Sequence, residues 1–331
     1  MKVAIRVDGN KEMGFGHMYR QRSLSQAFPK DTKIFFLTKT PLDAKAVIGE
    51  AQIIALEEND LEQVLSFVKE NSIDVVITDN YNLDENYLSE LHRACAVATV
   101  DDLNHLEKYD VDLIINQNIY GKDLDYNCGN CKVLGGTEYA IIGENFVELD
   151  REEKLVNETP KMLVTFGGAD KHHLAVKVAD ALSDFEEKIH AVFVLGNGFE
   201  DKELLNKELE SWSNSFEILH DVKNMAPVIL GCDFAVSAAG TTTYELAYCG
   251  TPTISICQAD NQKDIAAGMQ KAEFSINLGD AQDVLAEEIR DAVQLILLDK
   301  ELRERMANVG KNLVDGRGAE RVAEAIAGLA K

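Results

Sequence analysis

The chain has 331 residues, 46% hydrophobic and 27% charged, which is enough to bury sizeable cores and, as a soft prior, to build two domains. A formal net charge of −24 repels phosphate backbones and anionic lipid surfaces and so argues against nucleic acid as a partner. No apolar run reaches the roughly 18 residues of a membrane span, and Met1 leads directly into strand-like sequence without a signal-peptide core, so the expectation is a cytoplasmic protein without membrane insertion.

In chain order, "KVAIRVD" (2–8), "KIFFLT" (33–38), "IDVVITD" (73–79) and "CAVATVDD" (95–102) predict strands. Between them "GHMYRQRSLSQAF" (16–28), "NDLEQVLSFVKEN" (59–71) and "DENYLSELHRA" (84–94) carry apolar residues at helical spacing. That alternation predicts a doubly wound α/β domain over residues 1–150 with a mostly parallel sheet. The charge-rich "ELDREEKLVNETPK" (148–161) predicts a linker. A second αβ series follows over 160–331, through "KMLVTFGGAD" (161–170), "HAVFVLG" (190–196), "FEILHD" (216–221), "CDFAVSAAG" (232–240) and "TPTISIC" (251–257). It ends in a helix-rich tail whose last helix is free to return to the first domain. Glycine-rich turns after strands sit where open α/β sheets bind ligands, so the expected architecture is two Rossmann-like domains facing a central cleft.

Six cysteines without a secretory signal read as reduced thiols, and the "CGNC" of Cys128 and Cys131 lacks a second pair to complete a metal site. Asp101 and Asp102 are adjacent acids that would suit Mg²⁺ beside a diphosphate, but the expectation is no metal and no cofactor. His172 and His173 are neighbours that would diverge on a helix.

Residues 236–262, "VSAAGTTTYELAYCGTPTISICQADNQ", are the richest stretch. A buried strand ends near Ser237, Gly240 turns the chain, and Thr241, Thr242 and Thr243 stand where a helix starts, offering N–H groups and hydroxyls to a diphosphate. Glu245, on that helix, can accept two hydrogen bonds from a ribose diol. An ordinary capped helix with a surface glutamate is the alternative reading.

This stretch resembles the nucleotide-binding segment of the GT-B superfamily, in particular the UDP-N-acetylglucosamine transferases of lipid II assembly. The resemblance implies phosphate contacts from Gly240 to Thr243, ribose at Glu245, the sugar or its pyrophosphate at Asn261 and Gln262, and uracil against Val222 and Met225. The opening "IRVDGNKEMGFGHMYRQRSLSQAF" (5–28) narrows the likeness. It is similar to the hydrolases that remove UDP from UDP-2,4-diacetamido-2,4,6-trideoxy-β-L-altropyranose in pseudaminic acid biosynthesis, and to related spore-coat polysaccharide proteins. "VITDNY" (76–81), "VDDLN" (100–104), "DLIINQN" (112–118), "GTEYAIIGENF" (136–146), "FGGAD" (166–170), "DNQ" (260–262) and "DGRGAERV" (315–322) agree in order, so the likeness spans nearly the whole chain. Gly143 departs from it, standing where the family more often has Arg, and the chain is larger than the minimal hydrolases.

The resemblance implies that His17, in the turn "GFGH", is the base that activates water for inverting attack at the anomeric carbon of a UDP-activated amino sugar. The physics suits that role, since the positive end of a helix disfavours the imidazolium. A helix-capping histidine is the alternative. Gly14 and Gly16 let the backbone approach a ligand. Asp8 is expected to orient His17 or bind a sugar hydroxyl, or else to form a turn. Arg20, one helical turn after His17, would face the cleft, whereas Arg22 reads as a surface charge. Tyr81 would hydrogen-bond the sugar or the water, or simply pack. Gly167 and Gly168 would line the cleft from the second domain, with Asp170 near a helix start. Two other functions stay open: a GT-B transferase that gives the sugar to an acceptor, and a silent sugar-nucleotide binder.

Overall fold

The structure, a computed structural model, describes residues 1–10, 13–49, 51–151 and 157–330. Contacts divide the chain into two units, Met1–Glu144 with Gly316–Lys331, and Asn145–Asp315. The sequence reading puts the boundaries at 150 and 160, and residues 152–156 of its linker lie outside the described residues.

The first unit runs β1 (Lys2–Val7), α1 (Gly16–Gln26), β2 (Lys33–Thr38), α2 (Pro41–Ile48), β3 (Gln52–Ala55), α3 (Leu61–Asn71), β4 (Val75–Asp79), α4 (Glu85–Ala94), β5 (Ala96–Val100), β6 (Leu113–Asn116), β7 (Lys132–Gly135) and the short α5 (Glu144–Val147) at the boundary. Its seven strands are ordered β3-β2-β1-β4-β5-β6-β7, and every pairing is parallel. Side chains alternate across the sheet, so Ile5, Val7 and Ile77 pack into one core layer while Ala4 and Val76 pack into the other. The order reverses between β1 and β4, and the loops leaving their carboxyl ends part there, which opens a crevice for ligands.

The second unit runs β8 (Lys161–Thr165), α6 (Leu174–Ala181), β9 (His190–Leu195), α7 (Lys202–Leu209), β10 (Ser215–His220), α8 (Ala226–Leu230), β11 (Phe234–Ala238), α9 (Thr242–Tyr248), β12 (Thr253–Cys257), α10 (Lys263–Lys271), β13 (Ser275–Asp280), α11 (Ala286–Leu298) and α12 (Lys300–Leu313). Its sheet order is β10-β9-β8-β11-β12-β13, again parallel throughout.

The last helix, α13 (Gly318–Ala327), belongs to the first unit. Ala319, Val322, Ala323 and Ile326 join the core layer that holds α1, and Arg321 donates to the Glu138 carbonyl at 2.8 Å. Gly318 is required there because a Cβ would fall 2.1 Å from the Ala140 carbonyl oxygen.

One expectation fails outright. Cys128 and Cys131 form a disulfide, because the tight turn between them brings their Cα atoms to 5.6 Å. Cys95, Cys232, Cys249 and Cys257 are thiols. Among the described residues no helix is long and apolar enough to cross a membrane.

Candidate active site

Strand β4 ends in a buried aspartate. In register Asp79 pairs with Val7, and its side chain turns toward the face covered by α1, whose first turns carry His17, Arg20 and Gln21. All three reach it. His17 Nδ1 is 2.6 Å from Asp79 Oδ1, Arg20 donates through Nη2 to Oδ1 at 2.7 Å and through Nε to Oδ2 at 3.0 Å, and Gln21 donates to Oδ2 at 2.7 Å. A carboxylate flanked by an arginine only accepts, so in the neutral imidazole of His17 the proton sits at Nδ1 and the lone pair at Nε2. The contact of Arg20 Nη2 with His17 Nδ1, at 3.1 Å, is then a close approach of two donors held together by the anion between them. Burial alone would raise the Asp79 carboxyl, but Arg20 and then His17 outweigh it and hold it well below the usual carboxylate range.

Arg20 spans two carboxylates. Its Nη1 donates to both oxygens of Asp102, at 3.1 and 3.0 Å, and Asp102 also accepts from Tyr81 at 2.8 Å and from Asn118 at 2.8 Å. Burial weakens the Arg20 cation, but Asp102 and Asp79 more than restore it, raising its pKa well above the ordinary value. The Tyr81 ring packs edge-on against His17, with centroids 4.8 Å apart. Burial first, then the Asp102 charge, raise the Tyr81 hydroxyl far above its usual range, so it remains a donor. His17 and Arg20 therefore lie on one helix face as their spacing predicts, but Arg20 is buried under that face and does not present its charge outward.

Asp8 does not orient His17. Its Oδ1 accepts from Thr38 and from the Lys39 N–H, and its Oδ2 accepts from Asn80. The residue that fills the orienting role is Asp79, and the sequence signal for it was the strand-terminal "VITDNY", in which Tyr81 alone stands out to chemical intuition. Asp101 and Asp102 are likewise engaged, since Asp101 accepts from Tyr109 and from the Leu103 and Asn104 N–H groups. Gly14 has φ +85, a conformation that favours glycine, and it closes the turn before α1 by donating to the Asn10 carbonyl.

In the second unit, β11 delivers Ser237 and Gly240 to the start of α9. Thr241 is exposed, Thr242 half-buried, and Thr243 buried with its Oγ1 lacking a partner among the described residues. Gln262 lies beside the turn, because a Cβ on Gly240 would come within 3.7 Å of Gln262 Nε2. The Gln262 Oε1 accepts the Gln258 N–H, and Gln258 in turn donates to the Phe166 carbonyl at 2.8 Å, tying this loop to the one that carries Gly167 and Gly168. Asn261 is exposed on the same loop, and Val222 and Met225 are half-buried after β10. His172 and His173 part company, toward the Gln258 carbonyl and Asp201. Asp170 caps α6, accepting from the Leu174 and Ala175 N–H groups. Glu245 is partly buried, and among the described residues no side-chain hydrogen bond or ion pair engages its carboxylate. Burial pushes that carboxyl up to about 7.

Across 99% of this chain and 100% of the other, the crystal structure of Acinetobacter baumannii MurG superposes with a TM-score of 0.75 at 12% identity. The chain has the GT-B fold. Residues 162–322 of this GT-B chain match the glycosyltransferase family 28 C-terminal domain, which contains the turn at Gly240 and Glu245. Its homologues include the spore coat polysaccharide biosynthesis protein SpsG of Bacillus subtilis, 25% identical over 97% of this chain and 96% of that protein. They also include the UDP-2,4-diacetamido-2,4,6-trideoxy-beta-L-altropyranose hydrolase of Campylobacter jejuni, 23% identical over 83% of this chain and 98% of that one. An uncharacterized protein of Methanocaldococcus jannaschii is 29% identical over 80% of this chain, which spans 57% of that relative's length.

Proposed function

We propose that the chain is an inverting hydrolase of a UDP-linked, N-acylated deoxy-amino sugar, feeding free sugar into a nonulosonic acid or another surface glycan. The observation that carries this reading is the 2.6 Å contact of His17 Nδ1 with Asp79 Oδ1. It leaves Nε2 as a base, and a base is what water needs and a mere nucleotide binder does not.

In the proposed reaction, water gives a proton to His17 Nε2 while its oxygen bonds to C1. The C1–O bond to the diphosphate breaks, and its electron pair leaves with UDP. The imidazolium that forms is stabilised by the adjacent Asp79 anion, as an ion pair held out of bulk water. Asp8 would bind a sugar hydroxyl at most, and Tyr81 acts by packing His17 in place. Gly240 to Thr243 would hold the diphosphate, Glu245 the ribose, Val222 and Met225 the base, and Asn261 and Gln262 the sugar side. The engagement of Asp101 and Asp102 by tyrosines, Arg20 and backbone N–H groups supports a reaction that runs without a divalent cation at those residues.

A transferase reading draws support from the family 28 match and the fold shared with MurG. The experiment that separates the two is a panel of UDP-diacetamido-trideoxyhexoses and UDP-N-acetylhexosamines incubated without acceptor, with and without EDTA. The hydrolase reading predicts UDP release in both conditions. Release only after adding a glycan acceptor would replace it with the transferase, and activity lost in EDTA and restored by Mg²⁺ would return Asp101 and Asp102 as metal ligands.

A further inference from the structure

The segment that leads into β7 carries the paired cysteines. Cys128 and Cys131 are joined and half-buried, and Gly129 and Asn130, at the tip of the turn between them, are exposed. A reagent can therefore reach the bond from solvent. The other four thiols are poorly placed to compete with it: Cys232, Cys249 and Cys257 are buried, and burial pushes the Cys95 and Cys257 thiols up to about 11, which suppresses the reactive thiolate.

A disulfide between residues only 3 apart closes a small ring, so it orders its own turn and adds little to the stability of the whole domain. What matters is what that turn holds. The Asn127 carbonyl accepts the Tyr109 N–H at 2.9 Å, the Asn127 side chain donates to the Glu107 carbonyl at 2.8 Å, and the Asp125 carbonyl accepts from the Asn104 side chain at 3.1 Å. Residues 125–127, just before the first cysteine, thus clamp the loop that follows Asp101 and Asp102.

Tyr126 is the inward arm of the clamp. It is buried, its ring meets Tyr109 edge-on at 5.3 Å, and both cysteines pack against the core layer that contains the two tyrosines. Its hydroxyl donates to the Asp101 carbonyl at 2.8 Å and accepts from Asn116 at 2.9 Å. Asn118 donates to Asn116 Oδ1 at 2.9 Å and to Asp102 at 2.8 Å. Asp102 is the carboxylate that Arg20 and Tyr81 also bind. An unbroken run of hydrogen bonds leads from the disulfide turn to the cation that fixes Asp79 and His17.

We propose that the Cys128–Cys131 bond is a site of thiol–disulfide exchange with a dithiol reductant, and that reducing it slackens the Tyr126 clamp and lowers turnover. A thiolate of the reductant attacks one sulfur, forming a mixed disulfide and releasing the other cysteine. The second thiol of the reductant then attacks the mixed disulfide and frees the remaining cysteine. Two electrons pass to the protein, the reductant leaves as its own disulfide, and the protons lost by its two thiols end on Cys128 and Cys131. Tyr126 is a positioning residue, acting through Asn116, Asn118 and Asp102. The inference goes beyond the hydrolase reading and rests on it only for the activity readout.

The test compares the full chain after exchange into air-saturated buffer and after dithiothreitol. Iodoacetamide with mass mapping is expected to label Cys128 and Cys131 only in the reduced protein. Reduction should speed amide hydrogen exchange in residues 121–131 by about tenfold or more while the second unit exchanges as before. With a UDP-sugar, kcat should fall about tenfold on reduction, with KM and UDP affinity within about twofold, because the change reaches the His17 array and not the unit assigned to the nucleotide. The double variant Cys128→Ser with Cys131→Ser should match the reduced protein and ignore dithiothreitol. Tyr126→Phe should have a lowered kcat that no longer responds to reduction, although its cysteines still exchange. Cysteines labelled without reductant, or exchange rates equal in the two states, would overturn the proposal. If a UDP-sugar is cleaved with the same kcat in both states, the coupling falls and the hydrolase stands. If no UDP-sugar is cleaved but reduction loosens residues 121–131, the hydrolase falls and the redox site stands.

Discussion

Arg20 grips both oxygens of Asp79, Nη2 on Oδ1 at 2.7 Å and Nε on Oδ2 at 3.0 Å, while its remaining nitrogen lies on Asp102. One buried cation thus bridges two buried carboxylates and fixes the distance between the strand ends that carry them. Removing it strands both anions. Arg20→Ala should cost about 3–5 kcal/mol of folding stability, the range for breaking a buried pair from one side. Arg20→Lys should recover only part, because an ammonium cannot fork across two carboxylates. Urea titration of the three proteins checks this, and an Arg20→Ala midpoint equal to wild type would show that the network is ornamental.

Asp79 decides the tautomer of His17. In Asp79→Asn the amide can donate to Nδ1, which moves the imidazole proton to Nε2 and removes the base. The expected loss in kcat is on the order of 10²–10⁴-fold. KM for the UDP-sugar and the affinity for UDP should stay near wild type, since the nucleotide contacts are assigned to the other unit. Steady-state kinetics with parallel calorimetry reads both. A fall in UDP affinity equal to the fall in kcat would point to global damage.

Glu245 gives the account a pH signature. Burial lifts its carboxyl from 4.5 to about 7 in the free protein. A ribose diol donates to the carboxylate and favours the ionised form, so UDP binding should release a proton and tighten as pH rises from 5 through 7, then level off. Calorimetry in buffers of different ionisation enthalpy measures the proton directly. The same shift destabilises the unliganded fold. The folded pKa lies above the unfolded one, so the two states protonate alike below about 4.5, the penalty grows as pH rises from there to about 7, and it is complete and constant above that. Glu245→Gln should therefore match wild type near pH 4.5, exceed it in stability above pH 7, and bind UDP about ten- to a hundredfold more weakly. Proton-independent UDP binding would remove Glu245 from the ribose.

Much of this was readable in the sequence for a simple physical reason. Strands buried on both faces are continuous apolar runs, and "KVAIRVD", "IDVVITD" and "CDFAVSAAG" became β1, β4 and β11. His17 and Arg20 share a helix face because they are three residues apart. Asp8 and Asp79 were not separable in the same way. Both follow strand ends, and only the register, Val7 beside Asp79, sends one carboxylate to α1 and the other to β2. Register depends on how neighbouring strands align, which no local pattern encodes. The burial of Arg20 was hidden for a similar reason, since its partner Asp102 is 82 residues away. The disulfide at Cys128 and Cys131 was set aside on an argument about compartment, whereas the turn geometry settles it.

The central claim is that water, deprotonated by His17, attacks carbon. It is tested most directly by running the reaction in H₂¹⁸O and weighing both products. The account predicts one ¹⁸O in the free sugar, at its anomeric hydroxyl, and none in UDP, with the rate of labelling lowered about 10²–10⁴-fold in His17→Asn. Label in the UDP phosphate would place the attack at phosphorus, and wild-type labelling by His17→Asn would put the base elsewhere; either result contradicts the mechanism.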